Sequence, residues 1–105
     1  MSVYSTKFFQ GTSTGPTQSV YTVPSGYTVV VRDLEVVNES GAATPIQVGL
    51  YVSGGISGLI YYISSMPTSS WAQWQGRTVM NSGDVLAIYS GTAVVHFWIS
   101  GYLLE

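Results

Sequence analysis

Apolar and polar residues alternate over short stretches along most of the chain, and the apolar positions are rich in valine, isoleucine and tyrosine. A period of two and this composition are typical of β-strands, and no stretch keeps helical spacing for more than about one turn. The pattern predicts eight strands, at residues 3–9, 18–23, 27–38, 46–52, 59–64, 71–80, 85–89 and 93–104. In the fourth of these the predicted buried side is Ile46, Val48, Leu50 and Val52.

Glycine, proline, serine and asparagine separate the predicted strands at short intervals. Residues 53–58 are predicted as a flexible turn, residues 81–84 as a tight turn, and Ser90-Gly91 as a hairpin turn into the last strand. Eight strands in 105 residues predict an all-β fold. We expect one domain over residues 1–105, an antiparallel β-sandwich with a jelly-roll-like arrangement.

The longest predicted strand, 27–38, changes its pattern in the middle. Its apolar face changes sides around Arg32 and Asp33, which predicts a β-bulge or a strand that passes from one sheet to the other. Asp33 and Glu35 are two residues apart and should therefore share a face, with Arg32 on the opposite face. We expect the two carboxylates to be bridged to Arg77 or Lys7 on a solvent-exposed or interface surface.

The N-terminal segment, residues 1–17, has two possible roles. Val3, Ser5, Lys7 and Phe9 alternate as in a strand. The segment is either a strand of the domain or an arm that adds to a sheet of a neighbouring subunit.

Charge is scarce. Eight charged residues make up 8% of the chain, with a formal net charge of -2, whereas a globular domain carries about 25%. Aromatic residues make up 13%, and the cores of protein–protein interfaces are rich in aromatics and poor in Lys, Glu and Asp. The composition fits a surface that is largely covered by partners, or a neutral β-protein that tolerates low charge.

The same composition disfavours several classes of function. Three Lys and Arg residues cannot line a phosphate-binding groove, so nucleic acid is not an expected partner. No apolar run is long enough to span a membrane. Cysteine is absent and His96 is the single histidine, so neither a thiolate nor a multi-histidine metal site can form, and no cofactor is implied. The sequence GTSTG at 11–15 has Gly-x-Ser-x-Gly spacing, but it lies in a predicted loop with no helix after it, so no nucleophile elbow is expected. His96 is predicted to be a packed or interface side chain.

Aromatic residues supply the candidate contact sites. Trp71 and Trp74 are three apart and should point to opposite faces of a strand, as should Tyr61 and Tyr62. One of each pair is then exposed. An exposed tryptophan or tyrosine packs in an interface or stacks on a sugar ring, so a glycan is a possible ligand. The candidate interface or ligand residues are Arg32, Tyr61, Tyr62, Trp71, Trp74, Arg77, His96 and Trp98.

Three blocks of sequence resemble one family of proteins. They are VPSGYTVVVRDLEVVN at 23–38, WQGRTVMNSGDVLAIYSG at 74–91 and ISGYLLE at 99–105. Their order resembles the small β-sandwich structural proteins of tailed-bacteriophage virions, which serve as head-decoration, neck or tail components. The resemblance covers residues 20–105.

The resemblance implies a non-enzymatic protein of the virion, assembled in the host cytoplasm, that packs against copies of itself and other virion proteins. Symmetric packing buries the same patch on every copy. The alternative function is a carbohydrate-binding module or receptor-binding tip domain that uses Trp71, Trp74 and exposed tyrosines.

Overall fold

The computed structural model describes residues 2–13, 15–91 and 94–105. In this part of the chain all eight predicted strands are present, and none of the described residues is helical. The strands are β1 (Val3–Thr12), β2 (Gln18–Thr22), β3 (Thr28–Asn38), β4 (Thr44–Val52), β5 (Gly55–Met66), β6 (Ser70–Met80), β7 (Val85–Ser90) and β8 (Val95–Leu104). The predicted all-β class is confirmed.

The strands form two four-stranded sheets that pack as a sandwich. The first sheet has the order β1-β8-β3-β6 and the second the order β2-β7-β4-β5. All neighbouring strands are antiparallel. Among the described strands, only β4 and β5 are joined as a hairpin, because every other connection crosses between the sheets. An eight-stranded double sheet connected in this way is a jelly roll.

Two predicted turns differ in the structure. Ser90-Gly91 is not a hairpin turn, because β7 belongs to the second sheet and β8 to the first. Thr92 and Ala93, at the predicted start of the last strand, lie outside the described residues, as do Met1 and Thr14 of the N-terminal segment.

The predicted flexible turn at 53–58 is mostly strand. Ser53 and Gly54 have φ values of 51° and 83°, which is the left-handed pair that a two-residue type I′ turn needs. Val52 then pairs directly with Gly55, and β5 begins there. Two residues are enough to reverse the chain.

The core lies between the two sheets and is made of buried apolar side chains from all the strands except β2. Its largest fully buried members are Val29, Val31, Leu34, Val36, Ile46, Met66, Met80, Leu86, Ile88, Phe97 and Ile99, with Val23 just after β2. Phe8 of β1 packs on Tyr21 of β2 with ring centroids 4.9 Å apart. These contacts hold the two sheets together at the β1–β2 side of the sandwich.

In β4, burial follows the predicted side only in part. Ile46 and Val48 are fully buried, but Val52 is 54% exposed. The last residue of β4 that pairs with β7 is Leu50, so Val52 lies in the part of the hairpin that extends beyond the sheet. Val52 was predicted to be buried, and this was wrong because β4 extends beyond the end of its pairing with β7.

The predicted β-bulge occurs in β3, and the strand stays within the first sheet. Val31 pairs with Gly101 and Asp33 with Ser100, so Arg32 is an extra residue relative to β8. Arg32 and Asp33 are both exposed while their neighbours Val31 and Leu34 are buried. Arg32 therefore does not point to the face opposite Asp33, as regular alternation predicted, because the bulge turns two consecutive side chains to the same side.

The bulge requires a glycine in the neighbouring strand. A Cβ atom on Gly101 would lie 2.0 Å from the carbonyl oxygen of Val30 and 3.0 Å from the amide nitrogen of Arg32. Both are backbone atoms of β3 and cannot rotate away. β6 also adapts at this level: Thr78 pairs with Val31 and Gln75 with Asp33, so β6 runs through Gly76 as a continuous strand with a shift in register.

A buried asparagine fixes the loops at one end of the sandwich. The Asn38 Nδ2 group donates to the carbonyl oxygens of Ala42, Met66 and Pro67 at 3.1, 3.0 and 3.1 Å. Its Oδ1 atom accepts from the backbone nitrogen and the hydroxyl of Ser40 at 2.9 and 2.6 Å. Asn38 therefore ties the β3–β4 loop to the end of β5, and satisfies backbone groups that strand pairing leaves free.

We predict that Gly101→Ala destabilises the protein by at least about 3 kcal/mol, because backbone of β3 must move to admit one methyl group. The measurement is urea unfolding followed by tryptophan fluorescence. The matched control is Gly41→Ala, since a Cβ at Gly41 would meet no heavy atom within 4 Å. We expect the control to change stability by less than about 1 kcal/mol. Equal midpoints for the two variants would contradict the prediction.

Candidate interaction surface

The outer face of the first sheet is the surface that carries most of the candidate residues. We define it as the side chains of β1, β8, β3 and β6 that point away from the second sheet. Residues directly opposite each other on paired strands share a face. The pairing gives four rows across the sheet: Thr12–His96–Val37–Trp71, Gln10–Trp98–Glu35–Gln73, Lys7–Ser100–Asp33–Gln75 and Ser5–Tyr102–Val30–Val79.

Aromatic side chains are concentrated at one end of this face. Trp71 is 66% exposed and pairs with half-buried Val37. On β8 the rings of His96 and Trp98 stack with centroids 6.0 Å apart and an interplanar angle of 25°. A flat sheet surface with broad apolar rings and little charge can be covered by another protein at low desolvation cost.

His96 is held in place by two polar contacts. Its Nδ1 atom lies 3.1 Å from the Thr12 hydroxyl, and its Nε2 atom lies 3.2 Å from a carboxylate oxygen of Glu39. A neutral ring with its proton on Nε2 satisfies both contacts, since Nε2 then donates to Glu39 and Nδ1 accepts from Thr12. His96 joins β1, β8 and the start of the β3–β4 loop.

Charged groups occupy the middle of the face. Glu35 accepts a hydrogen bond from the Gln73 amide at 2.9 Å, and Lys7 donates to the Gln10 amide oxygen at 2.7 Å. The predicted bridges from Asp33 and Glu35 to Arg77 or Lys7 are not formed: among the described residues, the contact within 4.0 Å between a basic side chain and a carboxylate is His96–Glu39. The Gln73 amide, on the strand beside Glu35, occupies the position that a cation was expected to take.

Two shallow depressions lie beside these charges. One of about 160 Å³ is lined by Asp33, Glu35, Gln73 and Trp98 among others. The second, of about 300 Å³, is lined by residues of β1, β3 and β8 that include Lys7, Arg32, Asp33 and Tyr102. Both depressions offer hydrogen-bonding groups beside apolar side chains.

The remaining candidates lie elsewhere. Trp74 points inward and packs against the core, and its ring covers Gly76, where a Cβ would lie 2.6 Å from it. Tyr61 also packs against the core, while Tyr62 lies on the second sheet and is 53% exposed. Arg77, in contrast, is exposed on the outer face of the first sheet, on β6 between Gln75 and Val79. The two tryptophans and the two tyrosines therefore point to opposite sides, as their spacing predicts, and the eight candidates do not form one site.

One row of the outer face was missed by the sequence reasoning. Val79 is 56% and Tyr102 is 40% exposed, and both flank Val30 across the sheet. The available signal was the change of pattern at Arg32: once a bulge is placed there, Val30 must point outward together with Arg32 and Asp33. This row gives the face a second apolar end.

Neither a metal-binding cluster nor a membrane-spanning helix is present in the described residues. Among residues 2–13, 15–91 and 94–105, no group of three or more His, Asp or Glu side chains is placed to hold a metal ion. In the same part of the chain, no helix is long and apolar enough to cross a membrane.

Comparison with known proteins gives a partial structural likeness. No family model matches the sequence, and no curated protein matches it. A chain in the structure of infectious bursal disease virus, Gt strain, is similar with a TM-score of 0.42 and 12% identity over 97% of this chain. The match covers 32% of that chain, so this protein spans about a third of its length. None of these comparisons singles out the tailed-phage proteins, and that assignment stays a prediction.

We predict that Tyr61 makes the fold less stable at alkaline pH. Burial raises the pKa of Tyr61 above its ordinary value of about 10. As pH rises past 10, the unfolded state releases this proton before the folded state does, so the free energy of unfolding falls until the folded pKa is passed. Urea midpoints between pH 8 and pH 11 should fall less for Tyr61→Phe than for the wild type. A constant difference between the two proteins across this range would contradict the prediction.

Proposed function

We propose that this chain is a non-enzymatic structural protein of a virus particle of the tailed-phage type, acting as a decoration, neck or tail subunit. It functions by packing against copies of itself and against other virion proteins, without a cofactor. The observation that supports this most directly is the outer face of the first sheet, with exposed aromatic and aliphatic rows at its two ends and the charged side chains between them.

The size of this face suits a stable interface. Four strands about 4.8 Å apart, each contributing about eight residues at roughly 3.3 Å, cover roughly 20 Å by 30 Å. With the relief of the side chains this approaches the ~800 Å² per partner of a standard protein–protein interface. A single face can therefore supply a complete contact.

The residue types on the face also suit this role. Tryptophan, tyrosine and arginine dominate the binding energy of interfaces, and the face presents Trp71, Tyr102 and Arg32 as exposed examples. Three cations and five carboxylates in the whole chain give weak repulsion between copies. Packing of copies also supplies the protection from solvent that these exposed aromatics lack in a single chain.

We predict that Trp71→Ser weakens self-association at least about thirtyfold, as the loss of an interface anchor worth ~2 kcal/mol requires. Native mass spectrometry and sedimentation equilibrium over a concentration series measure the effect. The control is Tyr62→Ser, which removes an aromatic ring of similar exposure from the second sheet, and we expect it to leave association unchanged. A wild-type protein that is monomeric at every concentration would refute the proposal.

Carbohydrate binding is the second candidate function. Trp71, Val37, Glu35 and Gln73 line a shallow depression of about 400 Å³. An exposed indole beside a carboxylate and an amide offers a stacking surface and hydrogen-bonding groups to a sugar ring. This arrangement fits a receptor-binding domain as well as an interface.

For this second function we expect binding to a glycan array that Trp71→Ser abolishes and Tyr62→Ser retains. Glycan binding by a monomeric wild-type protein would favour the second function over the first. An array without a hit, from a protein shown by circular dichroism to be folded, would leave the structural role as the better proposal.

A further inference from the structure

The four free sheet edges differ in how well they are protected from pairing with another strand. Native proteins protect edges with short strands, bulges, prolines and charges. β2 has five residues, and β1 has a register shift between Lys7 and Phe9. β5 has two register shifts and a positive φ at Gly58. These three edges are short or irregular.

β6 is the exception. It has eleven residues. Its pairing with β3 shifts register between Thr78 and Gln75, but exposed and half-buried positions still alternate without a break from Ser70 to Val79. It contains no proline, and Arg77 is its one charged residue. In the described residues, β3 pairs with β6 on one side and no strand pairs with it on the other. A long, regular and nearly uncharged edge presents backbone donors and acceptors to any strand of matching register.

The sequence of β6 is suited to antiparallel pairing with β6 of a second copy. Gln75 is the middle residue of Ser70–Met80, so an antiparallel pair of β6 strands centred on Gln75 aligns the full length of both. On the outer face Trp71 then lies opposite Val79 of the second copy, and Gln73 opposite Arg77 of the second copy. An aromatic ring beside a β-branched side chain is a favourable cross-strand pair, and no like charges meet.

Registers centred on Arg77 or on Gln73 are less favourable. Residues that lie opposite each other on the two copies must point to the same face of the joined sheet. The two-fold axis must therefore pass between two copies of the same residue. A centre on Arg77 puts two arginines opposite each other, and a centre on Gln73 leaves the Val79 end without a partner. On the inner face, the register centred on Gln75 places Trp74 opposite Gly76 of the second copy, where no side chain competes with the ring.

We propose that two copies of this chain join through β6, antiparallel and around a two-fold axis at Gln75, so that their first sheets form one eight-stranded sheet. This inference rests on the proposed self-association and specifies its geometry. The two-fold contact is isologous and closes after two copies, so assemblies contain even numbers of chains. The outer faces of the joined sheets remain available for contacts with further proteins.

The test uses single cysteines, because the chain has none of its own. In Gln75→Cys the two introduced thiols face each other across the axis, with Cα atoms about 4.5–5.5 Å apart, within the range for a disulfide. In the control Gln73→Cys the equivalent residues are displaced by four positions, or roughly 14 Å. Both positions are exposed on the same strand, so their reactivity is matched.

We expect mild oxidation to convert Gln75→Cys into a cross-linked dimer and to leave Gln73→Cys monomeric on non-reducing gels. The double variant Gln73→Cys with Arg77→Cys should cross-link again, because these residues lie opposite each other. As a second measurement, Gln75→Lys places two cations across the axis and should weaken dimerisation at least about tenfold at low salt.

Each outcome separates the two proposals. If native mass spectrometry shows oligomers but Gln75→Cys does not cross-link, or cross-links no better than Gln73→Cys, the β6 pairing is wrong and self-association through another surface remains. If the wild type is monomeric throughout, both proposals fail. Cross-linking at residue 75 together with even-numbered oligomers supports both.

Discussion

The close approach of Gly101 to the backbone of β3 is the constraint on which the first sheet depends. β8 lies between β1 and β3, and both neighbours carry an extra residue next to Ser100, at Phe8 and Arg32. The extra residue in β3 reverses the order of inward and outward positions along the strand. Because of it, Val29 and Val31 before the bulge and Leu34 and Val36 after it all reach the core. Without it, Asp33 and Glu35 would replace the last two.

The strand pattern was largely predictable because β-branched and aromatic residues alternate within segments bounded by clear turn residues. The bulge was also predictable, since only an extra residue can bring both valines and Leu34 to one side. Alternation could not give the direction of the side chains within the bulge. For this reason the predicted orientation of Arg32 was wrong. It also could not tell a hairpin from a crossover at Ser90-Gly91, because the same turn residues serve both and only the pairing partners differ.

The candidate site was predictable to about the same extent as the fold. The spacing of Trp71 and Trp74 determines that they point to opposite sides, but not which one is inside. The choice is made by Gly76, whose missing side chain leaves room for the Trp74 ring, and by Leu34 across the sheet. The absent ion pairs show a further limit: Glu35 accepts from Gln73 of the neighbouring strand, while Lys7 donates to Gln10 of its own strand. The first of these contacts depends on register between distant segments.

The order of the strands has a consequence for how the chain folds. β8, at residues 95–104, lies between β1 and β3, and no other strand can fill that position. While the chain is synthesised, β1 therefore has no partner, and β3 can pair only with β6. The β4–β5 hairpin is the one unit that forms from local contacts, so most pairing must wait until long loops close, which makes folding slow. A nascent chain holding exposed tyrosine-rich and valine-rich strands during that interval is vulnerable to aggregation, and a chaperone that shields β1 and β3 until β8 arrives would increase the yield of folded protein.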